Sequence, residues 1–81
     1  MAEDKDWTEH DDALVRDFEF SDFAAALAFV NRVGEAAEQA NHHPDILLHG
    51  WNKVRLTLST HSEGGLTEKD QQLAATIDGL A

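Results

Sequence analysis

A chain of 81 residues has room for one domain and no second, and a hydrophobic fraction of 42% argues against global disorder. The formal charge of -10 disfavours nucleic acid and anionic membranes, both of which need basic patches, and the absence of cysteine removes disulfides and thiolate metal sites. Apolar runs stay well short of the ~20 residues of a membrane span, and the acidic start MAEDKDWTEHDD is unlike a secretory signal, so a cytoplasmic protein is expected.

Residues 1–12 are charged and are expected to fray, with Trp7 as their one anchor. ALVRDFEF (13–20) alternates as a strand does. Leu14, Phe18 and Phe20 share one face and Val15, Asp17 and Glu19 the other, with Arg16 interrupting the apolar face. Ser21 suits the N-cap of a helix that begins at Asp22, where the helix dipole favours an acid. From there to about Ala40 the apolar positions Phe23, Leu27, Val30, Val33 and Ala37 recur at helical spacing in an alanine-rich, proline-free stretch. Gly34 weakens this helix slightly and is read as a close helix–sheet contact. Pro44 and the histidines before it mark the helix end.

Residues 46–48 form a short apolar run, HGWN supplies turn chemistry, and residues 53–60 alternate cleanly with Val54, Leu56 and Leu58 on one face. SEGG (62–65) reads as a loop. Thr67 opens TEKD, a capping box with Asp70 in place of the usual glutamate, and Leu73, Ala74, Ile77 and Leu80 give the closing helix a buried stripe. The order β-α-β-β-α predicts an α+β fold, an antiparallel sheet with two helices packed on one face, in a single domain over residues 1–81. A chain this short hides a modest share of its surface, so its stability is marginal or assisted by self-association.

Three of the five histidines stand at the ends of the hairpin over residues 44–60. Its midpoint falls near residue 52, so antiparallel pairing returns His61 to the level of His42 and His43. The N-terminus of the last helix follows at once, so Asp70 can approach the same place. Adjacent strand residues point to opposite faces, but His42 and His43 sit at a helix–strand junction where Pro44 restrains His43, and an irregular junction lets both converge. Two other readings stand beside this one. The histidines could be surface-turn residues, with Asp70 serving only as a cap, or three imidazoles could bind zinc, although neighbouring ligands that point apart make poor geometry. His10 and His49 lie in polar surroundings and are read as solvated. Ser59 lacks a nucleophile elbow, and Gly64-Gly65 is too short for a phosphate loop.

His42-His43-Pro44, an aromatic at Trp51, Ser59-Thr60-His61, Gly65-Leu66-Thr67 and Asp70 together resemble the pterin-4a-carbinolamine dehydratase family over about residues 13–80. The upstream RDFEFSDFAAALAFVNRV is similar to the family's strand and following helix. The resemblance implies dehydration of a 4a-hydroxytetrahydropterin to quinonoid dihydropterin, in tetrahydrobiopterin recycling, with no cofactor and no metal. It implies His42, His43 and His61 as catalytic residues, and Asp70, Pro44, Ser59 and Thr60 as substrate-binding ones. Asp70 would orient a histidine, hold the ring's amino groups, or cap its helix. Imidazole chemistry suits the reaction, since a group with an ordinary pKa near 6.5 donates or accepts a proton at neutral pH. The expected partners are the pterin and further copies of the chain, as a homodimer or homotetramer, with no nucleic acid and no membrane. Trp51 matches the pattern yet sits at the far hairpin tip, so packing or a subunit contact is expected of it. Two departures from the family pattern stand out: its usual additional N-terminal helix is absent or nearly so, and Glu38 is the nearest charged residue before the double histidine. The alternative function is a non-catalytic dimerisation or assembly cofactor that binds a protein through the sheet, with residues 53–60 at its edge.

Overall fold

In a computed structural model of the chain, which describes residues 6–60 and 63–81, the order is β1 (Thr8–His10), β2 (Ala13–Glu19), α1 (Phe23–Ala40), β3 (Asp45–His49), β4 (Lys53–Leu58) and α2 (Glu68–Asp78). The strands form one antiparallel sheet in the order β1-β2-β4-β3. The even-numbered side chains Leu14, Phe18, Val54, Leu56 and Leu58 face the helices and are buried. They meet Ala26, Phe29, Val33 and Ala37 of α1 and Leu73, Ala74 and Ile77 of α2. The expected α+β architecture is therefore present, with both helices on one face. Among the described residues no helix is long and apolar enough to cross a membrane.

Arg16 sits on the apolar face without disrupting it. Its guanidinium lies 4.3 Å from the centre of the Phe18 ring, and Nη1 reaches Asp78 Oδ1 at 2.6 Å. The stem thus packs on an aromatic while the charge is paired. Trp7 anchors the N-terminal segment as expected: its ring meets Phe18 edge-on and Nε1 donates to the same Asp78 oxygen at 2.8 Å. The segment also forms β1, paired with β2 through a two-residue turn in which Asp11 and Asp12 both adopt positive φ. That strand is not evident in sequence because Thr8–His10 is polar and exposed throughout.

Four further details differ from the sequence reading. The N-cap of α1 is Asp22 rather than Ser21, and its Oδ1 accepts from the Ala25 N–H at 2.8 Å. The helix buries Ala26, Phe29, Val33 and Ala37, leaving Phe23 49% and Leu27 41% exposed. The reason is Phe29, which packs against Phe18 and Phe20 at 4.7 and 5.0 Å between ring centres and sets the rotation of the helix. Gly34 makes no close contact; a methyl there would meet nothing within 4 Å. Finally, β4 is an inner strand flanked by β2 and β3, so the sheet edges are β1 and β3.

The hairpin register pairs Asp45 with Thr57 and His49 with Lys53. Gly50 and Trp51 take positive φ in the intervening loop. Asn52 closes it by bonding Phe20 twice: its side chain donates to the Phe20 carbonyl at 2.9 Å, and its carbonyl accepts from the Phe20 N–H at 2.9 Å. Trp51 is 62% exposed at the tip, so it contributes no core packing within this chain.

Candidate active site

Helix α1 ends in a way that places His42. Asn41 adopts the left-handed conformation (φ 51), which asparagine tolerates better than most residues. Its N–H bonds the Glu38 carbonyl at 3.2 Å, and the His42 N–H bonds the Ala37 carbonyl at 3.1 Å. This paired closure fixes the His42 backbone against the last helical turn and turns the chain into β3.

Helix α2 begins at the facing position. Thr67 is its N-cap, and the Asp70 carboxylate reaches back to the Thr67 N–H at 2.9 Å, the returning half of the expected capping box. Beyond β4, Thr60 and Gly65 exchange backbone hydrogen bonds at 3.0 and 3.2 Å, which closes the connecting loop. Gly65 has φ 146, and a methyl on it would come within 3.0 Å of the Asp12 side chain, so this position needs glycine.

These elements bring His42 and Asp70, 28 residues apart in sequence, to 2.6 Å between Nε2 and Oδ1. Asp70 is wholly buried, whereas the His42 side chain retains 11% exposure. The other Asp70 oxygen accepts from the Thr60 hydroxyl at 2.7 Å as well as from the Thr67 N–H. Burial alone pushes the Asp70 carboxyl up, but the bonds from His42, the Thr67 N–H and the Thr60 hydroxyl, with the charge of His42, outweigh it and hold the carboxyl below its ordinary 3.8. A buried carboxylate that stays ionised beside a partly exposed imidazole can orient the ring for proton transfer.

His42 lines a groove of about 310 Å³ between the helices, with Gln39, Lys69, Gln72, Leu73 and Thr76 along its walls. His43 turns elsewhere. It is exposed, its Nε2 bonds the Glu38 carboxylate, and it lines a wider concavity of about 800 Å³ with Pro44, Gly34 and Ile46. The expected convergence of the two neighbouring imidazoles on one cavity is thus replaced by two concavities that adjoin at Gln39, which lines both. The two side chains leave the junction after Asn41 toward different elements, His42 to Asp70 of α2 and His43 back to Glu38 of α1. His61 lies outside the described residues. Among the described residues no group of three or more His, Asp or Glu side chains is placed to hold a metal.

Thr60 is buried and its hydroxyl is turned to Asp70, and both Asp70 oxygens are bonded within the protein. Of the roles expected for Asp70, the geometry serves orientation of a histidine together with the helix cap. Ser59 is half-buried. Glu38 was not among the expected site residues, although a sequence signal existed: it lies one helical turn before His42, where a chain reversing after Asn41 passes back over it.

The family model described as Pterin 4 alpha carbinolamine dehydratase matches residues 1–80. A relative from Chloroflexus aurantiacus named for pterin-4-alpha-carbinolamine dehydratase is 51% identical over 80 residues, covering 99% of this chain and 85% of that protein. A relative of the same name from Acidobacterium capsulatum is 60% identical over 67 residues, covering 83% of this chain and 72% of its own. The crystal structure of a transcriptional coactivator/pterin dehydratase from Brucella melitensis superposes with a TM-score of 0.85 at 38% identity, over 93% of this chain and 81% of the other. A pterin dehydratase-like protein described as a RuBisCO assembly factor in the alpha-carboxysome superposes with a TM-score of 0.74 at 28% identity, over 93% and 86%. On the match along nearly its whole length, this chain belongs to the pterin 4 alpha carbinolamine dehydratase family, a family of hydro-lyases.

Proposed function

We propose that this chain dehydrates a 4a-hydroxytetrahydropterin to quinonoid dihydropterin and water, with His42 and His61 as the main acid–base pair and His43 positioning the pterin or sharing in proton transfer. The observation that carries the reading is the His42–Asp70 pair, an imidazole held by a buried carboxylate at the mouth of a groove, in a chain of this family. The 4a-hydroxyl takes up a proton to leave as water, and the N5 proton is lost as the C=N bond forms. Both changes are proton transfers, so the proposal invokes neither a metal nor a redox cofactor. A positioned acid or base contributes about 10²- to 10⁴-fold to such steps. The two concavities flanking the end of α1 have volumes typical of small-molecule sites, roughly 300–1,000 Å³. His42 and His43 would then address the pterin from either side of that helix end, and Pro44 would form part of the wall beside His43.

The test follows decay of a chemically generated 4a-hydroxytetrahydropterin by ultraviolet absorbance. The wild-type protein should accelerate it, and His42→Ala and His61→Ala should each lose most of the acceleration. Folded variants that keep the full rate would refute the assignment.

A second reading is an assembly or dimerisation cofactor. It is favoured by the similarity to the RuBisCO assembly factor and by the open edge at β3, where Ile46 is 38% and Leu47 52% exposed. Self-association as a homodimer or homotetramer suits either reading. A folded protein that leaves the carbinolamine decay unchanged would favour this alternative.

A further inference from the structure

The two oxygens of Asp70 have different partners, and the difference assigns protons. Oδ2 takes the Thr60 hydroxyl at 2.7 Å and the Thr67 N–H at 2.9 Å. The Thr60 hydroxyl has one proton, and it goes to Asp70. The Thr67 hydroxyl, 2.9 Å from Thr60 Oγ1, must therefore be the donor in that contact. With Oδ2 engaged twice, Oδ1 is the oxygen left for His42 Nε2 at 2.6 Å. An ionised carboxylate only accepts, so Nε2 carries a proton. Among the described residues no hydrogen bond reaches the other ring nitrogen of His42, and no buried side-chain nitrogen or oxygen is left without a partner. Nδ1 is therefore the ring nitrogen left accessible, on a side chain that lines the groove.

We propose that Thr60 is a positioning residue: by locking the Asp70 carboxylate it holds the His42 proton on Nε2 and makes Nδ1 the atom that exchanges protons with the bound pterin. The identity of the substrate rests on the dehydratase reading above, whereas the ring tautomer does not. As the C4a–O bond breaks with its electron pair on oxygen, the N5 lone pair forms the C=N bond. One proton is delivered to the departing hydroxyl, giving water, and the N5 proton is given up, so the two transfers balance. His42 Nδ1 performs one of them. A neutral ring receives the N5 proton there, and a charged ring delivers its proton from there; Nε2 remains bound to Asp70 in both cases.

The experiment is a long-range proton–nitrogen correlation spectrum of the histidine rings in nitrogen-15-labelled full-length protein, with His42 assigned by its absence in His42→Ala. In the wild type the neutral His42 ring should carry its proton on Nε2. Thr60→Ser should retain that tautomer and the wild-type rate. Thr60→Val should show a mixture of tautomers and a kcat loss on the order of 10²-fold with KM nearly unchanged, as expected for a misplaced catalytic group. A wild-type ring protonated on Nδ1, or a folded Thr60→Val protein with the unaltered tautomer, would overturn the proposal. Should Thr60→Val not fold, the wild-type and Thr60→Ser tautomers decide it, since both must be Nε2–H. If the tautomers behave as expected but no variant or wild type dehydrates the carbinolamine, the dehydratase reading fails and the positioning role stands. If wild type dehydrates it and Thr60→Val leaves the tautomer intact, the reverse holds.

Discussion

The Asp70 carboxylate serves three donors at once: a helix N-terminal N–H, a threonine hydroxyl and an imidazole. Deleting it strands all three, and each buried hydrogen-bonding group left without its partner typically costs about 1–3 kcal/mol. Whole domains are stable by only about 5–15 kcal/mol, so Asp70→Ala should lose a large part of the total in urea denaturation at neutral pH. A loss below about 1 kcal/mol, the size of an ordinary exposed cap, would show that Asp70 acts as a cap alone. The pH dependence has a definite sign. The folded carboxyl lies below its unfolded value of 3.8, so the unfolded state binds the proton first. Asp70's contribution is complete above that value and disappears as pH falls through the lower folded one. Wild type should lose stability through this group as pH falls through 3.8 and below it, while Asp70→Asn lacks that component. A variant with the same acid slope as wild type would contradict it. At this scale the sequence was informative where a motif carried the chemistry: TEKD announced the cap, and HHP with THxxxGLTxxD announced the pairing of residues far apart. It was uninformative about where adjacent side chains point. Whether His43 faces His42 or Glu38 depends on the Asn41 conformation, and no residue pattern displays that directly.

At the scale of the elements, α1 separates what periodicity can and cannot reveal. Its existence and length were legible, but an alanine-rich helix carries two apolar stripes, and the choice between them is made by partners elsewhere in the chain. Phe18 and Phe20 select Phe29. The energetic consequence is testable by pairs of substitutions on the same helix. Phe29→Ala empties a fully buried site and should cost about 3–5 kcal/mol, whereas Leu27→Ala, at 41% exposure, should cost less than about 1 kcal/mol. At the N-terminus, Asp22→Ala should cost about 1 kcal/mol by freeing the Ala25 N–H, and Ser21→Ala should stay within about 0.5 kcal/mol. Thermal and urea denaturation of the four variants measures both comparisons. Equal losses at Phe29 and Leu27 would place the helix in the rotation read from sequence instead. Strand β1 marks the opposite limit: three polar, exposed residues carry no pattern, and pairing with β2 alone makes them a strand.

The whole molecule sets β2, from the N-terminal quarter of the chain, between β1 and β4, and this order makes β4 an inner strand whose C-terminal end delivers Thr60 to Asp70. Strand order is a long-range property, which is why residues 53–60 looked like a free edge in sequence. The same scale governs charge. Sixteen acidic residues face six lysines and arginines, some of the latter engaged in pairs such as Arg55–Asp17 and Arg16–Asp78, so acidic groups outnumber these cations by ten. Two effects of salt then compete. Screening weakens the exposed pairs, each worth up to about 1 kcal/mol, and it also relieves repulsion summed over a net charge of -10. The repulsion acts among many more carboxylates than there are pairs, so relief should prevail. Raising ionic strength from about 0.01 M to about 0.15 M shortens the screening length from ~30 Å to ~8 Å. That is less than the 12.1 Å radius of gyration, so charges across the molecule cease to sense one another. The Tm at pH 7 should therefore rise over that interval, and scanning calorimetry would read the shift directly. A Tm that falls would mean that the few ion pairs, and not the excess of like charge, dominate the electrostatics of this fold.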